Sequence, residues 1–261
     1  MLIIMVVCPL AVWNTVSFRH LGRSLWKPFV ISILGIGLPL WGGFTRWEAV
    51  LAFWLVAFVL GVNGFDFYQR IQLRRREGSE SITRAVGRVF RRNQRAFSAM
   101  IIHVAVVFIA LGIIGIEFFQ TETQGTIAQD EEISLAGYTM EYESLDIYDT
   151  TDARIVARAQ VNVKRDGKII GEVYPRRDYY YEKEESVTVP GVRSTLIDDF
   201  YVILVDWKEV SEDGATFKVY HNPLVKWLWI GTGIFILGII AASWPVPRKE
   251  SVKGEGKDHA G

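Results

Sequence analysis

Four histidines, His20, His103, His221 and His259, and a single cysteine, Cys8, are the residues of this 261-residue sequence whose types invite ligand or nucleophile chemistry. Cys8 has no disulfide partner, and no Cys-x-x-Cys-His haem-attachment motif exists. Within its apolar run it reads as a small packing residue. His103 stands apart from the others. It lies in Ala99-Met100-Ile101-Ile102-His103-Val104-Ala105, the one ionisable side chain between the interfacial ends of the four clear apolar runs. At about 1.5 Å per residue from Phe97 it is roughly 9 Å past the start of its helix, too deep to snorkel easily. Ionisable groups at that depth are costly and mark functional positions. Ala96, Ala99 and Ala110 share its helical face with Val106 and Val107, leaving room for a neighbouring helix or a flat macrocycle.

Three chemistries fit His103: a hydrogen bond across a helix interface, axial ligation of a haem iron or another metal, and a proton relay. The relay lacks an Asp or Glu at the same depth, with Asp66 and Glu117 at opposite interfaces. A bis-histidine haem would need a second imidazole. His221 falls at the outer mouth, roughly 20 Å away along the membrane normal. His259 is in the tail, and His20 at the inner boundary of the first run is the alternative within the chain. The second ligand is therefore expected from another polypeptide. No nucleophile with a base and no set of spaced metal ligands appears, so no catalytic residue is assigned.

The elements that position His103 are apolar. Half of the sequence is hydrophobic, concentrated in runs over Met1–Phe18, Pro28–Phe44, Trp47–Asn63, Phe97–Phe119 and Leu224–Trp244. Met1–Phe18 has neither a basic n-region nor a cleavage site, and reads as a true span rather than a signal peptide. Between Gln120 and His221 there are 21 acidic and 11 basic residues, so the remainder of this formally neutral chain carries the opposite excess. Nine arginines over Arg70–Arg95 face only Glu77 and Glu80, which places that segment in the cytoplasm. Alternation then puts Arg19, Arg23, Lys27 and the tail lysines inside and Gln120–His221 outside. The arginine cluster reads as a positive-inside flank in contact with membrane lipid rather than a nucleic-acid site. Trp26, Trp41, Trp47, Trp227, Trp229 and Trp244 read as interfacial aromatics.

From Ile127 to Tyr220 the period becomes two. Ile155, Ala157, Ala159, Val161 and Val163 alternate with polar residues, and Arg165-Asp166-Gly167-Lys168 reads as a hairpin turn into Ile169–Tyr174. Ile133–Tyr142, Ser186–Val189, Phe200–Trp207 and Thr216–Tyr220 bring the total to six to eight short strands, with a turn at Ser211–Gly214. Tyr179-Tyr180-Tyr181 reads as a docking surface or the edge of a core. The expected fold is an α-helical polytopic membrane protein of about five transmembrane helices with an inserted extracytoplasmic all-β sandwich or barrel. Its parts are three helices over 1–69, a basic cytoplasmic loop over 70–95 and a fourth helix with His103 over 96–119. An acidic β domain over 120–222, a fifth helix over 223–245 and a cytoplasmic tail over 246–261 complete the chain.

Three stretches resemble the C-terminal part of the CcmF haem lyase family of cytochrome c maturation. They are Arg91-Arg92-Asn93-Gln94-Arg95 leading into the His103 helix, Tyr174-Pro175-Arg176-Arg177-Asp178-Tyr179-Tyr180 with Asp198-Asp199-Phe200-Tyr201-Val202, and Tyr220 to Gly231. Cys8-Pro9-Leu10-Ala11-Val12-Trp13 also fits. The resemblance implies a transmembrane haem b with His103 as the later of two axial ligands, quinol as electron donor, and docking of apocytochrome c outside a bacterial inner membrane. It further implies a chain not active alone, working with the N-terminal haem lyase portion on another chain and with other maturation subunits. The family's tryptophan-rich loop, two external histidines and earlier transmembrane histidine have no counterpart here, so the chain reads as a separately encoded or truncated C-terminal portion. Two other functions fit the residues alone: a non-catalytic envelope scaffold with a partner-binding β domain, and a transporter subunit using His103 as proton relay.

Overall fold

A computed structural model describes residues 26–37, 40, 46–78, 94–206 and 214–244. The first expected span, Cys8, His20, the Ser211–Asp213 turn and the basic tail lie outside these residues. Helix α1 covers Trp26–Ile36 and tightens into a 3₁₀ turn over Ile33–Ile36. Helices α2 (Trp47–Gly78), α3 (Gln94–Phe119) and α4 (Val225–Ser243) follow.

Three helices are long and apolar enough to cross a membrane, over Trp47–Gln69, Phe97–Phe119 and Val225–Ser243. α1 is shorter than that, so the described residues hold three such helices where five spans were expected. Helix α2 also outruns the expected Trp47–Asn63 span and carries the start of the expected basic loop. Arg70 to Gly78 is helical, because arginine is a good helix former and no glycine or proline falls between Arg70 and Glu77.

The helices pack by two different means. Between α2 and α3 the contact is a β-branched cluster of Val56, Val59, Val62, Val107 and Ile114. Between α3 and α4 it is a glycine seam. A Cβ on Gly231 would stand 2.7 Å from Ala105 O, and one on Gly112 would stand 2.6 Å from the Leu228 Cβ. Only residues without a side chain let the two backbones approach this closely.

The chain leaves α3 directly into a β-sandwich with ten strands among the described residues: β1 (Thr121–Ala128), β2 (Glu132–Leu135), β3 (Tyr138–Asp149), β4 (Arg154–Arg165), β5 (Lys168–Val173), β6 (Arg176–Tyr180), β7 (Glu185–Val189), β8 (Gly191–Ser194), β9 (Asp198–Asp206) and β10 (Gly214–Pro223). One sheet has the order β1-β10-β9-β8. The other runs β2-β3-β4-β6-β7, with β5 also paired to β4. All pairings are antiparallel.

Asp166 and Gly167, at φ 51° and 73°, close the β4–β5 hairpin as their sequence indicates. Ala136 and Gly137, at φ 53° and 79°, make a second such turn. It splits the expected Ile133–Tyr142 strand into β2 and β3. The inward stripe Ala157, Ala159, Val161 and Val163 meets Phe200, Val202, Leu204 and Phe217 of the facing sheet. Tyr138 stacks on Phe200 at 5.1 Å, and Tyr142 lies 5.1 Å from Phe217.

Candidate functional site

Helix α3 carries His103 on the side away from the glycine seam. Ile101, Ile102, Ala105 and Ile109 meet α4, whereas Val107, Ala110 and Ile114, one to three turns beyond His103 on its own face, pack against α2. The small-residue face expected around His103 is therefore closed by α2 toward Phe119. Toward Gln94, Ala99 is exposed. His103 itself is half-buried.

The imidazole Nδ1 lies 2.6 Å from the carbonyl oxygen of Ala99, one turn back. A carbonyl only accepts, so Nδ1 carries the proton and donates it. The neutral ring then has its lone pair on Nε2, the tautomer and orientation that a metal-ligating histidine needs. One axial nitrogen for a haem iron fits this arrangement. The described residues contain no group of three or more His, Cys, Asp or Glu able to hold a metal ion among themselves.

His221 is not a companion for His103. It belongs to a network where the sandwich meets the helices. Gly115 of α3 lies against Pro223 and Leu224, and His103 is twelve residues, about 18 Å, further down α3. The hub of the network is Asp198, the first residue of β9. It accepts hydrogen bonds from Tyr138 Oη (2.9 Å), Thr195 Oγ1 (2.8 Å) and His221 Nε2 (3.0 Å). Burial raises the Asp198 carboxyl, but the bonds from His221, Thr195 and Tyr138 and the His221 charge outweigh it and hold the group below its ordinary value. Burial also raises the Tyr138 hydroxyl, and its bond to Asp198 adds to the effect. Arg165 donates to Tyr138 Oη at 3.1 Å and lies over the ring at 4.9 Å. Sequence reasoning did not assemble this network. The available signal was an Asp-Asp pair opening an otherwise apolar strand.

Tyr179 and Tyr180 are half-buried on β6, and Tyr181 follows the strand, exposed. Arg154 Nη1 donates to Tyr180 Oη at 3.3 Å and to the buried Asp178 at 2.7 Å, and Tyr181 donates to Asp149 at 3.2 Å. Two of the three hydroxyls are thus engaged within the sandwich.

Residues 118–223 match the family described as the CcmF C-terminal beta-sandwich. The chain is similar to the probable cytochrome c-type biogenesis protein NrfE of Escherichia coli (strain K12), 26% identical over 156 residues, covering 58% of this chain and 27% of that protein. It is also similar to the cytochrome c-type biogenesis protein CcmF of Pseudomonas aeruginosa, 23% identical over 248 residues, covering 92% of this chain and 35% of the relative. The solved structure of a cytochrome c haem lyase CcmF shares the fold, with a TM-score of 0.70 and 22% identity over 94% of this chain and 38% of that one. The chain thus spans about a quarter to a third of the curated relatives it matches.

Proposed function

We propose that this chain, whose residues 118–223 match the CcmF C-terminal beta-sandwich, is a C-terminal portion of that family and a membrane subunit of a cytochrome c haem lyase. In this reading it supplies one axial ligand to a transmembrane haem b and presents the sandwich outside the cytoplasm of a bacterial cell as a docking domain. The observation that carries the reading is the 2.6 Å contact between His103 Nδ1 and Ala99 O. Nδ1–H is tied to Ala99 O, which leaves Nε2 as a free donor at membrane depth. The relatives, named as cytochrome c-type biogenesis proteins, give that donor a context.

The residues of this chain have limited tasks in such a complex. His103 would hold the iron through Nε2. Ala99 O fixes the ring. The cluster between α2 and α3 keeps water from the outer side of the imidazole. A bound haem b would supply one-electron chemistry, with quinol as the electron donor. The second ligand and the residues that handle the haem to be attached belong to the N-terminal portion, carried on another chain. Apocytochrome c and other maturation subunits are the proposed partners of the sandwich.

The test is spectroscopic. The chain, purified with its membrane partners, should give a b-type reduced spectrum and a positive pyridine haemochrome without covalent haem. His103→Ala should lose the haem or convert it to high spin, because axial-ligand identity sets the electronics of the iron. His20→Ala, which removes the alternative ligand within the chain, should leave the spectrum unchanged. An unaltered spectrum in His103→Ala defeats the ligand assignment. A wild-type complex without haem favours the scaffold.

A further inference from the structure

The turn between β8 and β9 exposes two adjacent large apolar side chains: Leu196 is 61% exposed and Ile197 73% exposed. One exposed leucine needs no explanation. These two stand at the tip of a turn whose shape is fixed. Thr195 Oγ1 accepts from the Ile197 and Asp198 amides at 3.1 and 3.0 Å, and the Thr195 amide donates to Asp198 O at 2.9 Å.

The height of this turn is also fixed. Ile197 O accepts from the amide of Leu224 at 2.8 Å, and Leu224 is the residue that starts α4. Leu224 lies beside Gly115, where an added Cβ would come within 2.9 Å of the Leu224 Cβ and 2.1 Å of Pro223 O. Gly115 is four residues short of Phe119, where the apolar stretch of α3 ends. The turn is thus level with a point about 6 Å inside that stretch. Beside it, Lys226 Nζ donates to Ser194 Oγ at 3.1 Å, and the exposed Trp229 follows on α4. Apolar tips with a lysine and a tryptophan alongside are the residue types of a membrane–water boundary.

We propose that the β8–β9 turn is a lipid anchor: Leu196 and Ile197 insert into the headgroup–acyl boundary of the bilayer that α4 crosses, with Lys226 beside a phospholipid phosphate. The proposal rests on α3 and α4 spanning the membrane. The two covalent links between sandwich and helices lie next to each other, since Gln120 Nε2 donates to Asn222 Oδ1 at 2.6 Å. The turn adds a separate point of contact, and with it the tilt of the sandwich over the membrane is set.

The test uses the full chain with Cys8→Ser as background and single cysteines carrying an environment-sensitive nitrobenzoxadiazole label. Leu196→Cys and Ile197→Cys report the anchor, and both alter exposed side chains only. Ile147→Cys is the outer control. It is 50% exposed on β3, nine residues and about 30 Å from the membrane-proximal Tyr138. Ile236→Cys, on an exposed position of α4, reports spanning. The proteins are reconstituted into phosphatidylcholine–phosphatidylglycerol vesicles with and without doxyl-labelled phosphatidylcholine. Labels at 196 and 197 should be quenched several-fold more by doxyl lipid than by aqueous iodide, and the label at 147 the reverse. Iodide quenching at 196 and 197 equal to that at 147 overturns the anchor. Protection from both quenchers also overturns it, since a protein surface then covers the turn. If 236 is quenched by doxyl lipid and 197 is not, the span stands and the anchor alone falls. If neither is quenched, the spanning premise fails.

Discussion

His221 Nε2 donates to Asp198 Oδ2 across 3.0 Å, which joins the end of β10 to the first residue of β9 where the sandwich meets the helices. With Tyr138 the bond ties both sheets to one carboxylate. This carboxylate is held below its ordinary value, so its contribution to stability is complete above that value, near pH 4, and is lost as pH falls through the lower folded-state value.

Asp198→Asn should therefore lower the unfolding midpoint at neutral pH, by the equivalent of about 2–3 kcal/mol for a buried, hydrogen-bonded charge. The wild type should lose stability on acidification below about pH 4, and the variant should lose less. Thermal melts in detergent across pH check both. Equal acid sensitivity in the two proteins would remove Asp198 from the account.

The glycine seam gives a sharper contrast. Gly231→Ala places a methyl group 2.7 Å from the Ala105 carbonyl oxygen, whereas a Cβ on Gly233 meets nothing within 4 Å. Gly231→Ala should destabilise the folded chain by about 1–3 kcal/mol. Gly233→Ala should be neutral or slightly stabilising because alanine is the better helix former. Thermal unfolding in one detergent ranks the pair, and a null result for Gly231→Ala would mean that the helices do not meet there.

Two ion pairs of the sandwich should differ in weight. Asp178 is 2% exposed and bonded to Arg154 at 2.7 Å, so Asp178→Ala should cost about 2–3 kcal/mol by removing a buried carboxylate and leaving Arg154 with the exposed Asp152 alone. Glu122 pairs with Lys218 at the surface, and Glu122→Ala should cost less than about 1 kcal/mol. Chemical denaturation followed by intrinsic fluorescence separates these outcomes.

Sidedness is open to labelling in intact cells. In a Cys8→Ser background, Lys183→Cys on the sandwich should react with a membrane-impermeant maleimide directly. Gln69→Cys, at the other end of the α2 span, should react only after permeabilisation. Reaction of both in intact cells would refute the orientation read from the arginines.

The parts of this fold that sequence revealed are those set by local chemistry. Asp166-Gly167 announced its hairpin because few other pairs accept two consecutive positive φ values. The α3 and α4 runs announced themselves by length and apolarity. Ala136-Gly137 did not, because alanine is uncommon at positive φ and its neighbours continue the strand pattern. β1 was missed for a related reason. Thr-Glu-Thr-Gln-Gly carries few apolar residues, and it is a strand because β10 pairs with it along its length. The candidate site divides the same way. His103 was conspicuous as an ionisable group in an apolar run. The bond from Nδ1 to Ala99 O depends on a rotamer, and the Asp198 network depends on which strands become neighbours. Neither is written in spacing.

Strands β1 and β10, which continue α3 and lead into α4, are paired without interruption from Thr121↔His221 to Ala128↔Gly214. The consequence is mechanical. Sliding α3 past α4 along their axes would shear this ladder, and a slip of a single residue would turn every side chain of one strand to the opposite face. The helix pair and the sheet therefore carry load as one strut. A tug on the outer end of the sandwich is delivered to the glycine seam instead of being absorbed by a slack linker.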